Sequence, residues 1–254
     1  MKKIYGLIGY PLSHSFSKQY FTDKFEKEGF DDCAFINLEF PDIHSLPSLL
    51  ADHPGLIGFG ITIPHKETIL PLLCKMDETV SLVGACNCVK LIGDKLYGYN
   101  TDITGFERSL TPLLKEHHKK ALILGRGGAA KAVSFVLDKL FIDYLFVERN
   151  RKGINSISYD DVSRKILHDH HLIINTTPLG MYPNVETYPA IPYEAISPLH
   201  YLFDLTYNPE KTLFLQKGEE MGAVTKNGYE MLVIQAEENW RIWNTTTFNI
   251  QHST

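Results

Sequence analysis

The chain has little that would staple it, carry it across a membrane or attract a polyanion. Its 254 residues include four cysteines, Cys33, Cys74, Cys86 and Cys88. None forms Cys-x-x-Cys, and Cys86-x-Cys88 alone is too sparse for a zinc site, so they read as reduced, partly buried thiols. No apolar run approaches the ~20 residues of a membrane span. Positive charge is in short supply: 25 Lys and Arg against 30 Asp and Glu, a net charge of −5. That balance argues against nucleic acid or a membrane as a partner. Internal repeats and low-complexity segments are absent. The opening MKKIYGLIGYPLSHS turns polar within a few residues, which reads as a first strand rather than a signal peptide. A cytoplasmic protein is expected.

What is present is ordinary globular material, 44% apolar and 22% charged. At ~150 residues per domain the length suits one large domain or two smaller ones. The eleven histidines include His168, His170 and His171 before LIIN, and His117 and His118 before ALILG. Both groups read as polar ends that feed strands, and no metal is expected.

Apolar strand-like runs alternate with amphipathic helical stretches, which argues for α/β with a largely parallel sheet. Strands are expected at KKIYGLIG, CAFINLEF and GLIGFGITIP, with two short ones about a turn at Gly93-Asp94. Helices are expected at SKQYFTDKFEKEGF, IHSLPSLLADHP, ETILPLL and MDETVSLVG. A second set begins near residue 103: KKALILG, DYLFVERN, HLIINTT and YLFDLTY as strands, TLFLQKGEEMGA and YEMLVIQAEENWRIW as helices. Residues 1–102 therefore read as a substrate domain and 103–226 as a dinucleotide-binding domain. The segment 227–254 would pack its helix, with Trp240 and Trp243, back on the first domain. Such a pair of α/β units leaves a cleft, and open α/β sheets bind ligands at the carboxyl ends of their strands.

LILGRGGAAKAV fits G-x-G-x-x-A at Gly125, Gly127 and Ala130. It follows a strand and opens a helix, as the motif requires. Gly125 permits the tight turn, Gly127 lets a pyrophosphate approach, and the helix N-terminus offers N–H groups to phosphate. Gly128 and Ala129 belong to the same cradle. Both cofactor signals then follow: Glu148 suits the ribose hydroxyl of NAD, while Arg149, Asn150, Arg151 and Lys152 suit the 2′-phosphate of NADP. The concentration of positive charge favours NADP, with Asn150 and Arg151 as the contacts.

Elsewhere single residues stay ambiguous. Ser13 and Ser15, before a helix, can cap it or bind a carboxylate at its positive end. Asn87 and Asp102 stand at turns and are as suited to turn-making as to binding. Lys66 follows a buried strand that Pro64 stops, a cation delivered at the edge of an apolar element.

Taken in order, SHS, ITIPHK, GACN, YNTD, the Gly-Gly-Ala turn, ERNR, INTTPLGM, DLTYNPEKT and GYEMLVIQA resemble the shikimate dehydrogenase family, from residue 6 to about 240. The resemblance implies an N-terminal α/β substrate domain, a Rossmann-type NADP-binding domain and a C-terminal helix returning to the first. It implies reversible NADPH-dependent reduction of 3-dehydroshikimate to shikimate, by a monomer or homodimer. Ser13, Ser15 and Tyr207 would face the substrate carboxylate. Thr62, Asn87, Asp102 and Gln235 would hold ring hydroxyls, and Lys66 with Asp102 would be the catalytic pair. Thr176, Thr177, Met181 and Gly228 would line the nicotinamide side. Burial and a neighbouring carboxylate act in opposite directions on an ammonium, so whether Lys66 transfers the proton or orients the hydroxyl stays open. The chain departs from the family at Lys18 for proline, Gly60 for asparagine, Cys88 for threonine, Arg126 for alanine and Lys152 for threonine. Arg126 would help the pyrophosphate or crowd it, and Gly60 leaves room for a relative that accepts quinate with NAD. A ligand-sensing module on this scaffold would have lost Lys66 or Asp102, and both are present.

Overall fold

The computed structural model describes residues 2–12, 15–150, 153 and 155–245. Ser13, Arg151 and Lys152 lie outside the described residues. The chain divides into two compact units, one of residues 1–101 and 236–254, the other of 102–235.

The first unit is built on a mixed sheet. Its elements are β1 (Lys3–Gly9), α1 (Phe16–Glu28), β2 (Cys33–Glu39), α2 (Leu46–Asp52), β3 (Leu56–Ile61), α3 (His65–Thr68), β4 (Lys75–Met76), α4 (Glu78–Val83), β5 (Cys88–Ile92) and β6 (Lys95–Tyr99). The strand order is β2-β1-β3-β5-β6-β4. β1 pairs in parallel with β2 and β3, whereas β5 runs antiparallel to β3 and β6. The two-residue period of a strand sends Tyr5 and Leu7 to one face of the sheet and Ile4 and Ile8 to the other. On the Tyr5 face lies an aromatic cluster with Phe21 and Phe25 of α1 and Phe35 of β2. The stretch 65–83, expected as continuous helix, is broken. Pro71 and the pairing of Lys75–Met76 with Tyr97–Gly98 insert an edge strand before α4.

The second unit carries a wholly parallel sheet. After α5 (Thr101–Leu110) come β7 (Lys120–Leu124), α6 (Gly128–Lys139), β8 (Asp143–Glu148), β9 (Ser156–Ser158), α7 (Arg164–Asp169), β10 (Leu172–Asn175), β11 (Tyr201–Asp204), α8 (Leu213–Glu220) and β12 (Val224–Lys226). The order β12-β11-β10-β7-β8-β9 is the doubly wound arrangement, with its topological switch between β7 and β10. Buried Leu122, Val147, Ile173, Leu202 and Phe214 form its core. α9 (Tyr229–Asn244) ends the described chain. Its last turns belong to the first unit, where Trp240 and Trp243 pack against Tyr5 and Phe21. Trp243 Nε1 also donates to the carbonyl of Val89 at 3.0 Å.

Among the described residues no helix is long and apolar enough to cross a membrane. None of their His, Cys, Asp and Glu side chains form a group of three that could hold a metal ion. Of the two histidine groups, His117 and His168 are exposed as polar ends would be, whereas His118 and His170 are buried. His118 accepts the Lys115 amide at Nδ1 (3.0 Å) and meets the Leu199 carbonyl at Nε2 (3.1 Å). Burial lowers its pKa to about 4, so it is neutral and structural.

Candidate active site

In the first unit, the described candidates gather at one end of the sheet. Thr62 follows β3, and its amide donates to the Ile8 carbonyl of β1 at 2.9 Å. The turn then enters α3, where Lys66 is half-buried. The Lys66 carbonyl accepts the Cys86 amide (2.8 Å), and the Asn87 carbonyl accepts the Ile61 amide (2.7 Å). Backbone bonds thus bring Thr62, Lys66 and Asn87 together, although 25 positions separate the first from the last. Ser15 precedes α1 as its N-cap but makes no capping bond. Its hydroxyl is buried and has no hydrogen-bond partner among the described residues. Capping alone does not account for it, and a buried polar atom without a partner is costly.

Asn87 is held more tightly than a turn residue needs. Its side chain is 3% exposed. The Thr101 amide donates to Asn87 Oδ1 at 2.7 Å, and Asn87 Nδ2 donates to Thr101 Oγ1 at 3.0 Å. Thr101 Oγ1 in turn donates to Asn239 Oδ1 of α9 at 2.7 Å. The amide is fixed in one orientation by a chain whose last member, Asn239, comes 138 positions after Thr101. Sequence reasoning passed over both Thr101 and Asn239. The available signal was helical spacing, since Asn239 stands one turn after Gln235 on the same face.

In the second unit the glycine turn joins β7 to α6. Gly125 has φ +96°, and a Cβ there would sit 2.8 Å from Thr177 Cγ2. Gly127 is the N-cap of α6, with no side chain bonded across the helix end. A Cβ on Gly127 or Gly128 would meet nothing within 4 Å, which leaves the helix N-terminus open to a ligand. Beside the turn lies a pocket of about 380 Å³. Gly125 and Arg126, Glu148 to Asn150, Tyr159 and Thr177 to Leu179 line it. Arg126 does not point along the turn: its Nη1 lies 3.2 Å from Glu148 Oε1, and its guanidinium is 4.6 Å from the centre of the Phe146 ring.

The strand end opposite the turn is pinned by a buried carboxyl group that the sequence reading did not single out. Asp204, fully buried at the end of β11, accepts from Thr212 Oγ1 (2.6 Å), the Thr206 amide (3.0 Å) and Asn175 Nδ2 (3.0 Å). Asn175 Oδ1 accepts the hydroxyl of Thr177 at 2.6 Å, and Thr176 Oγ1 donates to the Leu124 carbonyl at 2.8 Å. The segment from Thr176 is therefore tied to the end of β7, while Met181 beyond it is exposed. An acid closing the apolar run YLFD was the available signal, because such a group demands partners.

The remaining candidates of this unit cluster on α5, α9 and the turn after β11. Gly228 donates its amide to the Thr206 carbonyl at 3.0 Å, and a Cβ there would stand 2.1 Å from the Leu205 carbonyl oxygen. Only glycine lets the start of α9 lie so close to the turn that carries Tyr207. A Cβ on Gly105 of α5 would be 3.2 Å from Gln235 Cβ. Asp102 is buried one turn earlier on α5.

A model of the shikimate dehydrogenase substrate binding domain matches residues 7–89. The chain is 39% identical, over 96% of its length and 92% of the relative's, to a shikimate dehydrogenase (NADP(+)) of Caldicellulosiruptor saccharolyticus. Among solved structures it is similar to a chorismate mutase/shikimate 5-dehydrogenase fusion protein of Clostridium acetobutylicum, with 34% identity and TM-score 0.85 over 96% of this chain and 92% of that one. A shikimate 5-dehydrogenase of Thermus thermophilus in complex with NADP(H) and shikimate is 26% identical, with TM-score 0.83 over 95% and 93%.

Proposed function

The chain belongs to the shikimate dehydrogenase family, and on that premise we propose that it reduces 3-dehydroshikimate to shikimate, reversibly, with NADPH. Aromatic amino-acid biosynthesis is the setting, in the cytoplasm, as a monomer or a homodimer. The observation that carries this reading is the 39% identity to an NADP-dependent enzyme over nearly the whole of both chains.

The second unit suits a dinucleotide by its own geometry: an open helix N-terminus after a glycine turn, and beside it a pocket reaching Asn150. Gly125, Gly127, Gly128 and Ala129 would hold the pyrophosphate, Asn150 and Arg151 the 2′-phosphate, and Thr176, Met181 and Gly228 the nicotinamide side. When bound, NADPH supplies the hydride. The chain supplies orientation and a proton. Reduction of a ketone leaves an oxygen that must be protonated, and Lys66 donates that proton and recovers it in the oxidation. Asp102 is its catalytic partner. Ser13, Ser15 and Tyr207 bind the substrate carboxylate, and Thr62, Asn87, Asp102 and Gln235 the ring hydroxyls. The buried Ser15 hydroxyl, without a partner among the described residues, and the Asn87 amide, held in one orientation, support those two roles.

The test is absorbance at the reduced-nicotinamide band with shikimate and NADP, then with NAD, then with quinate. Turnover is expected first of all with shikimate and NADP. Lys66→Ala should lower it by roughly 10²–10⁴-fold, the range for a lost general acid–base, and leave NADP affinity unchanged. No turnover with shikimate would sink the function, and a variant keeping more than about half the activity would sink the role of Lys66.

A further inference from the structure

Glu148 closes β8 where a dinucleotide site that prefers NAD places its acidic residue. There a carboxylate accepts the ribose hydroxyls and repels a 2′-phosphate. Glu148 is 8% exposed and lines the pocket beside the glycine turn. A chain that uses NADP must dispose of that negative charge. Among the described residues its one ion-pair partner is Arg126, whose Nη1 approaches Oε1 to 3.2 Å.

Two further contacts keep the guanidinium at this post. It stacks over Phe146, two residues before Glu148 on the same strand face, at 4.6 Å from the ring centre. Across from it, any side chain at Gly153 would come within 2.8 Å of Arg126 Nη1. The backbone there leaves space that the guanidinium fills. Arg126 thus springs from the phosphate-binding turn but is spent on the carboxylate.

We propose that Arg126 sets the cofactor preference by neutralising Glu148, so that the pocket accepts an adenosine 2′-phosphate rather than a free ribose hydroxyl. The inference rests on the reading of this pocket as the adenosine site of NADP. It assigns Arg126 an indirect role: the residue acts through Glu148, and the exposed Asn150 meets the phosphate. Removing the guanidinium returns a bare carboxylate to the site, where it repels the phosphate and accepts the ribose.

A double-variant cycle tests this by calorimetric binding of two fragments, adenosine 2′,5′-bisphosphate and 5′-AMP, and by specificity constants for NADP and NAD. Arg126→Met should weaken the bisphosphate about tenfold, as one unscreened charge at short range would, and leave 5′-AMP unchanged or tighter. Glu148→Gln should bind the bisphosphate at least as well as the original chain. In the Glu148→Gln background, Arg126→Met should cost less than about twofold. Equal losses in both backgrounds would mean that Arg126 reads the phosphate itself and overturn the proposal, as would a preference untouched by Arg126→Met. If the original chain binds neither fragment, the adenosine-site reading fails and the proposal with it. Arg126 is exposed, so the variant should melt near the original temperature.

Discussion

At the scale of single residues, Asp204 shows how burial and hydrogen bonding compete over one carboxyl group. Burial raises its pKa to about 6, while bonds from Thr212, Thr206 and Asn175 pull the other way. In the unfolded chain the same group titrates near ~3.9. Between these values the folded state binds the proton more tightly, so stability from this group falls as pH rises from about 4 to 6 and is flat on either side. Asp204→Asn keeps the shape and cannot titrate, and the Thr212 hydroxyl can turn to accept from the new amide. The melting temperature of the variant, relative to the original chain, should therefore climb between pH 4 and pH 7. A difference constant across that range would mean that Asp204 is already ionised at pH 4, contrary to this account. Arg126 and Glu148 belong to the same scale: each reads as an ambiguous charge in the sequence, and only their mutual distance turns them into a specificity device.

At the scale of elements, the β7–α6 turn brings covalent geometry and binding into one residue. Gly125 combines φ +96° with a site where Thr177 Cγ2 and Thr176 Oγ1 would lie 2.8 and 3.1 Å from a Cβ. Gly125→Ala should cost roughly 1–2 kcal/mol from the left-handed backbone alone. Because Thr176 and Thr177 would have to shift, NADP should also bind more weakly, while shikimate affinity holds. Thermal melting and NADP titration check both, and a variant with unchanged melting and unchanged NADP affinity would refute the account. Among the elements that the sequence failed to announce were short edge strands: β4 with two residues, β9 and β12 with three each. A run so short offers no alternation to read. Each exists because a neighbouring strand presents unpaired backbone groups, a cause that lies outside its own residues.

For the whole molecule, ligand and stability are linked by mass action. NADP binds the folded chain, so at a hundred times its Kd it should add about 2.7 kcal/mol to unfolding. In a chain of this size that corresponds to a rise of roughly 5–10 °C in melting temperature. NAD at the same concentration should give a smaller rise, because its ribose carries no phosphate for Asn150 and the basic residues beside it. Differential scanning calorimetry with each cofactor reads the two shifts. Equal shifts would contradict the preference for NADP. With two compact units and separate cores, NADP should shift most the transition that melts the parallel sheet of residues 120–226, where the glycine turn lies.

What the sequence determined by itself was everything set by local chain geometry. Alternating apolar periods announced α/β, the glycine spacing after KALIL announced a tight turn that opens a helix, and Pro64 after Ile61 announced that Lys66 leaves the end of a strand. These features depend on φ, on side-chain period and on missing N–H groups, all properties of neighbours in the chain. Tertiary structure alone decided which polar groups satisfy one another. Thr101, which fixes Asn87, depends on Asn239, Asp204 on Asn175, and Glu148 on Arg126, across separations of 138, 29 and 22 positions. The physical reason is the cost of burial: a polar group removed from water must be paired, and its partner is whichever group the packed sheets and helices bring within hydrogen-bonding distance.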